Sequence, residues 1–330
     1  MIIYRRKRRT PCSVHRLSRG RAHRSLAQLV VAALLLATST FSSAEIQLTL
    51  KNSFIDTYKN RTSISDECIV DHSKGKPNPA SSDGDMHAAV RCPKEIGLPM
   101  VAEIINAKDH GNAIDLTKTV EADGSKVTIK GAWRIWNEHG GDQVFHQGAK
   151  VAAAQNTNPD HVFEIHPITV LGDFDLRASF KPIAGYTPKA AEDAFNRYEN
   201  TRSKIVPRKA TTTIVSAGIG YNYVEFQMEL MEKPYEVADG SFAFAKVRDW
   251  EGHLVLRKKR MVFVRDTPPE QAVRDKKEGD CLRVLGIPRL DLALVSWRAR
   301  NAKTNPDALS WNLPYEIIVV GVYDSECQVD

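Results

Sequence analysis

Between Lys126 and Glu138 the chain alternates clearly. Val127, Ile129, Trp133 and Ile135 share one face, with Gly131 among them, while Thr128, Lys130, Arg134 and Trp136 share the other. A period of two with one apolar side belongs to a half-buried β-strand and fits no helix. The same pattern returns further along. Phe163 and Ile165 oppose Glu164 and His166 in a strand over 161–170. Val224, Phe226, Met228 and Leu230 oppose Glu225, Gln227 and Glu229, and a strand over 211–217 lies between these two. Val101–Ile105 and Ile114–Leu116 read as shorter strands, and Asp123-Gly124 as a turn.

One helix is expected among these strands. Thr187 suits an N-cap with Pro188 at the first helical position, and Ala191, Phe195, Tyr198 and Ile205 recur at helical spacing. With the strands before it taken as three, this helix and the two strands after it follow the order of an OB-type five-stranded barrel, which binds polymers or sugars on its outer face and loops. The expected fold is therefore mainly β, with an OB-like barrel over 98–232. A second antiparallel β-domain is expected over 233–330, with a hairpin turning at Glu251-Gly252, a short helix near 268–278, and apolar strands over 282–297 and 315–323. Residues 45–97 read as irregular and clipped by a disulfide. No internal repeat is apparent in the sequence.

Residues 1–44 read as a signal peptide. A cationic head (Arg5, Arg6, Lys7, Arg8 and Arg9) leads to an apolar run over 26–37 and to Ser42-Ser43-Ala44, a small-residue exit suited to cleavage. The run is short of the roughly 20 residues that span a bilayer, so no transmembrane anchor is expected to remain after cleavage. The net charge of the whole chain is +6, but the leader holds nine of its basic residues and no acidic one. The remaining 37 basic and 40 acidic residues give a formal charge of −3, which makes nucleic acid an unlikely partner. A secreted or periplasmic location permits disulfides. Cys68, Cys92, Cys281 and Cys327 remain after the leader, and the shorter loops favour Cys68–Cys92 and Cys281–Cys327.

The residues best equipped for chemistry cluster around the alternating strands. Arg134, Trp136, Glu164 and His166 could share one face if the strands over 126–138 and 161–170 pair, forming a polar and aromatic binding surface. Glu138, His139, His161, Glu164 and His166 offer the imidazoles and carboxylates that bind a divalent metal such as zinc, or that move protons. A cross-strand ion pair between Arg134 and Glu164 is the structural alternative. Asp83-Gly84-Asp85 resembles a turn that can hold calcium but lacks the further oxygen ligands of an EF-hand. Arg257-Lys258-Lys259-Arg260 reads as a solvated strand edge. No phosphate loop, dinucleotide fingerprint, Gly-x-Ser-x-Gly or His-Glu-x-x-His motif is present.

The segment His161-Val162-Phe163-Glu164-Ile165-His166-Pro167 resembles uncharacterised exported bacterial proteins that carry an E-I-H-P segment in a small β-domain. The likeness extends over the neighbourhood of 126–169. It implies export and a barrel-like module, and no activity. A staphylococcal-nuclease-like barrel would need acidic calcium ligands and paired arginines that cannot be placed here. The expected function is binding without catalysis or cofactor in the cell envelope, of a glycan, a peptide or another protein. A metal-dependent hydrolase is the alternative, and a scaffold subunit the third possibility.

Overall fold

The computed structural model describes residues 45–328 except 142, 221 and 302–308. The expected signal peptide and Cys12 lie outside these residues. The described residues belong to one compact unit.

Strand β1 (Glu45–Lys51) and helix α1 (Asn52–Tyr58) precede β2 (Ser63–Ser73), β3 (Met86–Arg91) and β4 (Met100–Ile104). Then come α2 (Gly111–Asp123), β5 (Lys126–Ile135), β6 (Val144–His146), β7 (Phe163–Leu171) and β8 (Phe174–Asp175). A middle segment carries β9 (Lys189–Ala190), α3 (Ala191–Asn200), β10 (Arg202–Pro207) and β11 (Thr211–Ala217). The remainder comprises β12 (Val224–Leu230), β13 (Tyr235–Val237), β14 (Gly240–Arg248), β15 (Leu254–Val264), α4 (Pro268–Val273), β16 (Cys281–Leu290), α5 (Leu292–Arg300), β17 (Leu309–Asn312) and β18 (Tyr315–Val322).

Two closed five-stranded barrels result. In the first, β2 pairs with β3, β3 with β4, β4 with β7 in parallel, β7 with β5, and β5 back with β2. Helix α2 stands between the third and fourth strands, as an OB-type barrel requires. The second repeats this wiring. Strand β12 pairs with β14, β14 with β15, β15 with β18 in parallel, β18 with β16, and β16 with β12, with α4 between the third and fourth strands. The chain is therefore a tandem of one topology.

This arrangement corrects the expected organisation. The first barrel occupies roughly 63–171, not 98–232, and two of its strands come from the stretch read as irregular. Its helix is α2, where the sequence predicts a strand at Ile114–Leu116. The buried positions Ala113, Ile114, Thr117 and Val120 follow a helical period, and Gly124, at φ 69°, caps the helix in the left-handed region. The helix expected near 187 is α3, which begins at Ala191 because Lys189 and Ala190 pair with β12. Neither expected boundary separates sheets, since β2 pairs with β5 across 97/98 and β12 with β16 across 232/233. The apolar stretch over 282–297 is also two elements, β16 and then α5. The strands at 211–217 and 224–230 and the hairpin of β14 and β15 lie where their alternation places them.

A third sheet, in the order β17-β10-β11-β1-β6, ties the barrels together. Its outer strands come from equivalent places: the loop between the fourth and fifth strands of the first barrel supplies β6, and that of the second supplies β17. One apolar cluster runs through all three sheets, with Trp133 and Phe163 from the first barrel, Phe226 and Phe263 from the second, and Leu48 and Ile205 from the connecting sheet. Both expected disulfides form. Cys68–Cys92 joins β2 to the end of β3, and Cys281–Cys327 joins the start of β16 to the chain beyond β18.

The barrels also share a motif that the sequence conceals. The fourth strands carry Gly131-Ala132-Trp133-Arg134 and Gly286-Ile287-Pro288-Arg289, and the fifth strands carry Phe163-Glu164-Ile165 and Tyr315-Glu316-Ile317. Each arginine lies opposite its glutamate, Arg134 at 2.5 Å from Glu164 and Arg289 at 2.7 Å from Glu316. All four side chains are at most 2% exposed. Each arginine then reaches into the other barrel. Arg134 Nε donates to Pro288 O at 3.0 Å, and Arg289 Nη1 donates to Trp133 O at 3.1 Å. Arg289 also donates to Arg61 O and Thr62 O and stacks 3.6 Å over the Trp133 ring. The glycines admit the fifth strand: a Cβ at Gly131 would lie 2.3 Å from Pro167 O, and one at Gly286 would lie 2.4 Å from Ile317 Cγ2.

Removing one member of a buried ion pair leaves an uncompensated charge and costs about 3–5 kcal/mol. Arg289→Met should destabilise the whole chain by that order in urea denaturation. Lys118→Ala removes only the exposed pair with Asp115 and should cost under about 1 kcal/mol.

Candidate functional site

Alternation in β7 sends Phe163 and Ile165 to the apolar core and Glu164 and His166 to the opposite face. On an isolated barrel that face would meet solvent. Here Glu164 is 2% and His166 0% exposed, because Tyr223, just before β12, and Asp85, just before β3, close over them.

The covered face holds a continuous network. His166 Nε2 lies 2.8 Å from Tyr223 Oη and 3.4 Å from Asp85 Oδ2, and the Tyr223 hydroxyl donates to the same Asp85 oxygen at 2.5 Å. His166 Nδ1 lies 3.3 Å from Glu164 Oε2 and 3.4 Å from Glu103 Oε2. His161 Nε2 approaches the other Glu164 oxygen at 3.3 Å, and its Nδ1 lies 2.7 Å from Pro159 O. Arg134 completes the network through Glu164 and through Glu138 at 3.1 Å.

The protonation states follow from this crowding. Burial alone would lower the His166 pKa, but Glu103, with Asp85 and Glu164, carries it up to about 10. Burial drives the Glu103 carboxyl up to about 8 despite the pull of His166. Burial would also raise Glu164, yet Arg134, with His161 and His166, holds it well below the ordinary carboxylate range. Asp85 is pushed up by burial, and its Oδ1 has no hydrogen-bond partner.

Of the expected binding face, the structure brings together Arg134, Glu164 and His166 but covers them. Trp136 is not part of the network. It is 1% exposed, and its ring packs edge-on to Tyr198 at 5.4 Å and beside Tyr315 at 6.5 Å. These four residues therefore form no open surface, because partners distant in sequence pack on the face that alternation had left free. The expected metal set is also regrouped. His139 stacks on His161 at 5.1 Å, Glu138 pairs with Arg134, and Glu164 is engaged by Arg134, His161 and His166. Among the described residues, the ligating atoms that converge within 4.8 Å belong to Asp85, Glu103 and His166.

Only His166 is common to both sets. Glu103 had one sequence signal, a lone acid in the apolar strand Met100–Ile104. Asp85 was visible as part of Asp83-Gly84-Asp85, but the two aspartates divide their work. Asp83 Oδ1 accepts from Asp85 N at 3.0 Å and from Asn78 Nδ2 at 2.7 Å, which builds the turn, while Asp85 faces His166. The basic run in β15 divides as well. Arg257 and Lys258 are exposed as expected, but Lys259 sits over Tyr315 and pairs with Glu199, and Arg260 is buried against Phe242 and Glu316.

A groove of about 560 Å³ lies elsewhere on the first barrel. Its floor includes Val90, Arg91, Pro99 and Met100, from β3 and the approach to β4. Its wall is β6 with residues 149–160, part of the loop between the fourth and fifth strands. That loop is tied across β2 and β3, where Ala154 N donates to Asp71 Oδ2 at 2.9 Å and His87 Nε2 lies 3.1 Å from Thr157 Oγ1. No protein-family model matches the chain, and no curated protein matches it.

Trp136→Ala should cost about 3–5 kcal/mol in urea denaturation, as expected for deleting a large core ring. An unchanged midpoint would return this ring to an open face.

Proposed function

We propose that this chain is an exported, non-catalytic binding protein that holds an extended peptide segment in the groove of its first barrel. The observation that carries this reading is the position of β6. Among the described residues this strand pairs with β1 alone and so ends the connecting sheet, and Gln143, Val144, Phe145 and His146 line the groove along its edge. An unpaired strand edge beside a groove suits an added strand, whose backbone supplies hydrogen bonds and whose alternate side chains enter the groove. The site also falls where OB-type barrels bind, between the second and third strands and the loop joining the fourth and fifth.

A peptide fits this groove better than a glycan. Sugars are held by stacking on exposed aromatic rings, and the one aromatic residue lining the groove, Phe145, is 4% exposed. Export is supported by the leader-like residues 1–44 and the two disulfides. Among the described residues no helix is long and apolar enough to cross a membrane.

Panning a random-peptide library on the protein lacking residues 1–44 tests the reading. The enriched peptides should lose roughly tenfold or more in affinity on Val144→Pro, which removes an edge N–H, and on Ala153→Arg, which fills the groove. A library that enriches nothing, or peptides that bind both variants like the unsubstituted protein, would overturn it.

A further inference from the structure

The tandem barrels allow the covered network to be compared with an equivalent place in the same molecule. Glu164 and Glu316 are equivalent, so His166 corresponds to Ile318. Ala102 lies opposite Ile165 and Met261 opposite Ile317, so Glu103, one residue on, corresponds to Val262. His87 lies opposite Glu103 and Phe242 opposite Val262, which matches Asp85 to Gly240. In the second barrel Val262 and Ile318 are buried in an apolar cluster with Phe242. The Arg–Glu pair is common to both barrels and is explained by their packing. The aspartate, second glutamate and histidine occur in one barrel only, so neither the barrel nor the interlock requires them.

We propose that Asp85, Glu103 and His166 form a divalent-cation site of the zinc class, which clamps the loop between β2 and β3 onto β4 and β7. The three side chains come from separate elements, the end of that loop, β4 and β7, and their ligating atoms converge within 4.8 Å. Zinc would displace the protons held by His166 and Glu103 and release them to solvent, leaving one imidazole nitrogen and two carboxylates, donors that zinc accepts. Asp85 is 1% exposed and keeps Oδ1 without a partner, a cost that an apolar isostere would avoid and a cation would offset. His166 and Asp85 are closed to solvent, and the Glu103 side chain is 14% exposed. With Tyr223 and Glu164 packed around His166 there is no room for a substrate, so the cation's role is structural. The inference is independent of the peptide groove.

Zinc alone is the probe. The protein without residues 1–44 and without a histidine tag is stripped with chelator, dialysed against zinc, and analysed for bound metal and melting temperature. About one zinc per chain and a rise in melting temperature are expected. Glu103→Gln alters the partly exposed ligand and should weaken binding roughly tenfold or more while leaving the fold intact. The double variant Glu103→Val with His166→Ile installs the residues of the second barrel. It should fold, bind no zinc at this site, and melt at one temperature with or without zinc. Failure of the unsubstituted protein to bind zinc overturns the proposal. So does equal binding by Glu103→Gln, which would place the metal on surface histidines.

Discussion

Two arginines, each paired within its own barrel and bonded to the backbone of the other, organise this molecule. Arg134 and Arg289 have no water to solvate them, so every donor must find a protein acceptor. Glu164 and Glu316 supply the charge, Glu138 accepts a further donor of Arg134, and the carbonyls of Pro288, Trp133, Arg61 and Thr62 accept from across the junction. A barrel separated from its partner would expose or strand these groups. The shared apolar cluster and the connecting sheet, with one edge strand from each barrel, add to the same constraint. Burial of a face that would be open on a lone barrel follows from this docking.

The duplication separates architecture from specialisation. Features present twice, the glycine, arginine and glutamate of the fourth and fifth strands, serve the fold. Features present once belong to what the chain does. Among the described residues, the Asp85, Glu103 and His166 cluster is such a feature of the first barrel.

Much of the strand inventory was legible in the sequence, because β5, β7, β11 and β12 alternate cleanly and their turns carry glycine or charge. The barrel frame was not. A strand–strand–strand–helix–strand–strand order can be read from 98–232 using α3, which lies between the barrels, as well as from the true 63–171. Helix α2 was hidden because its apolar residues are few and the short Ile114–Leu116 stretch fits either structure. The repeat escaped notice because the equivalence reduces to a glycine, an arginine and a glutamate among otherwise different side chains. For the site, alternation placed Arg134, Glu164 and His166 on one face correctly. It could not show that Tyr223 and Asp85 cover that face, since burial there is decided by contacts between distant segments. Trp136 was misassigned for the same reason, being packed by Tyr198 and Tyr315 from other elements.

The interlock has a consequence that a single method reads out. If the reciprocal arginines make one cooperative unit, neither barrel can open without the other. Native-state hydrogen exchange across a urea series, followed at the amides of β5 and β16, measures this directly. The slowest amides of both strands should converge on one opening free energy with one urea dependence. Opening of either barrel at a lower free energy, with its own smaller urea dependence, would contradict it.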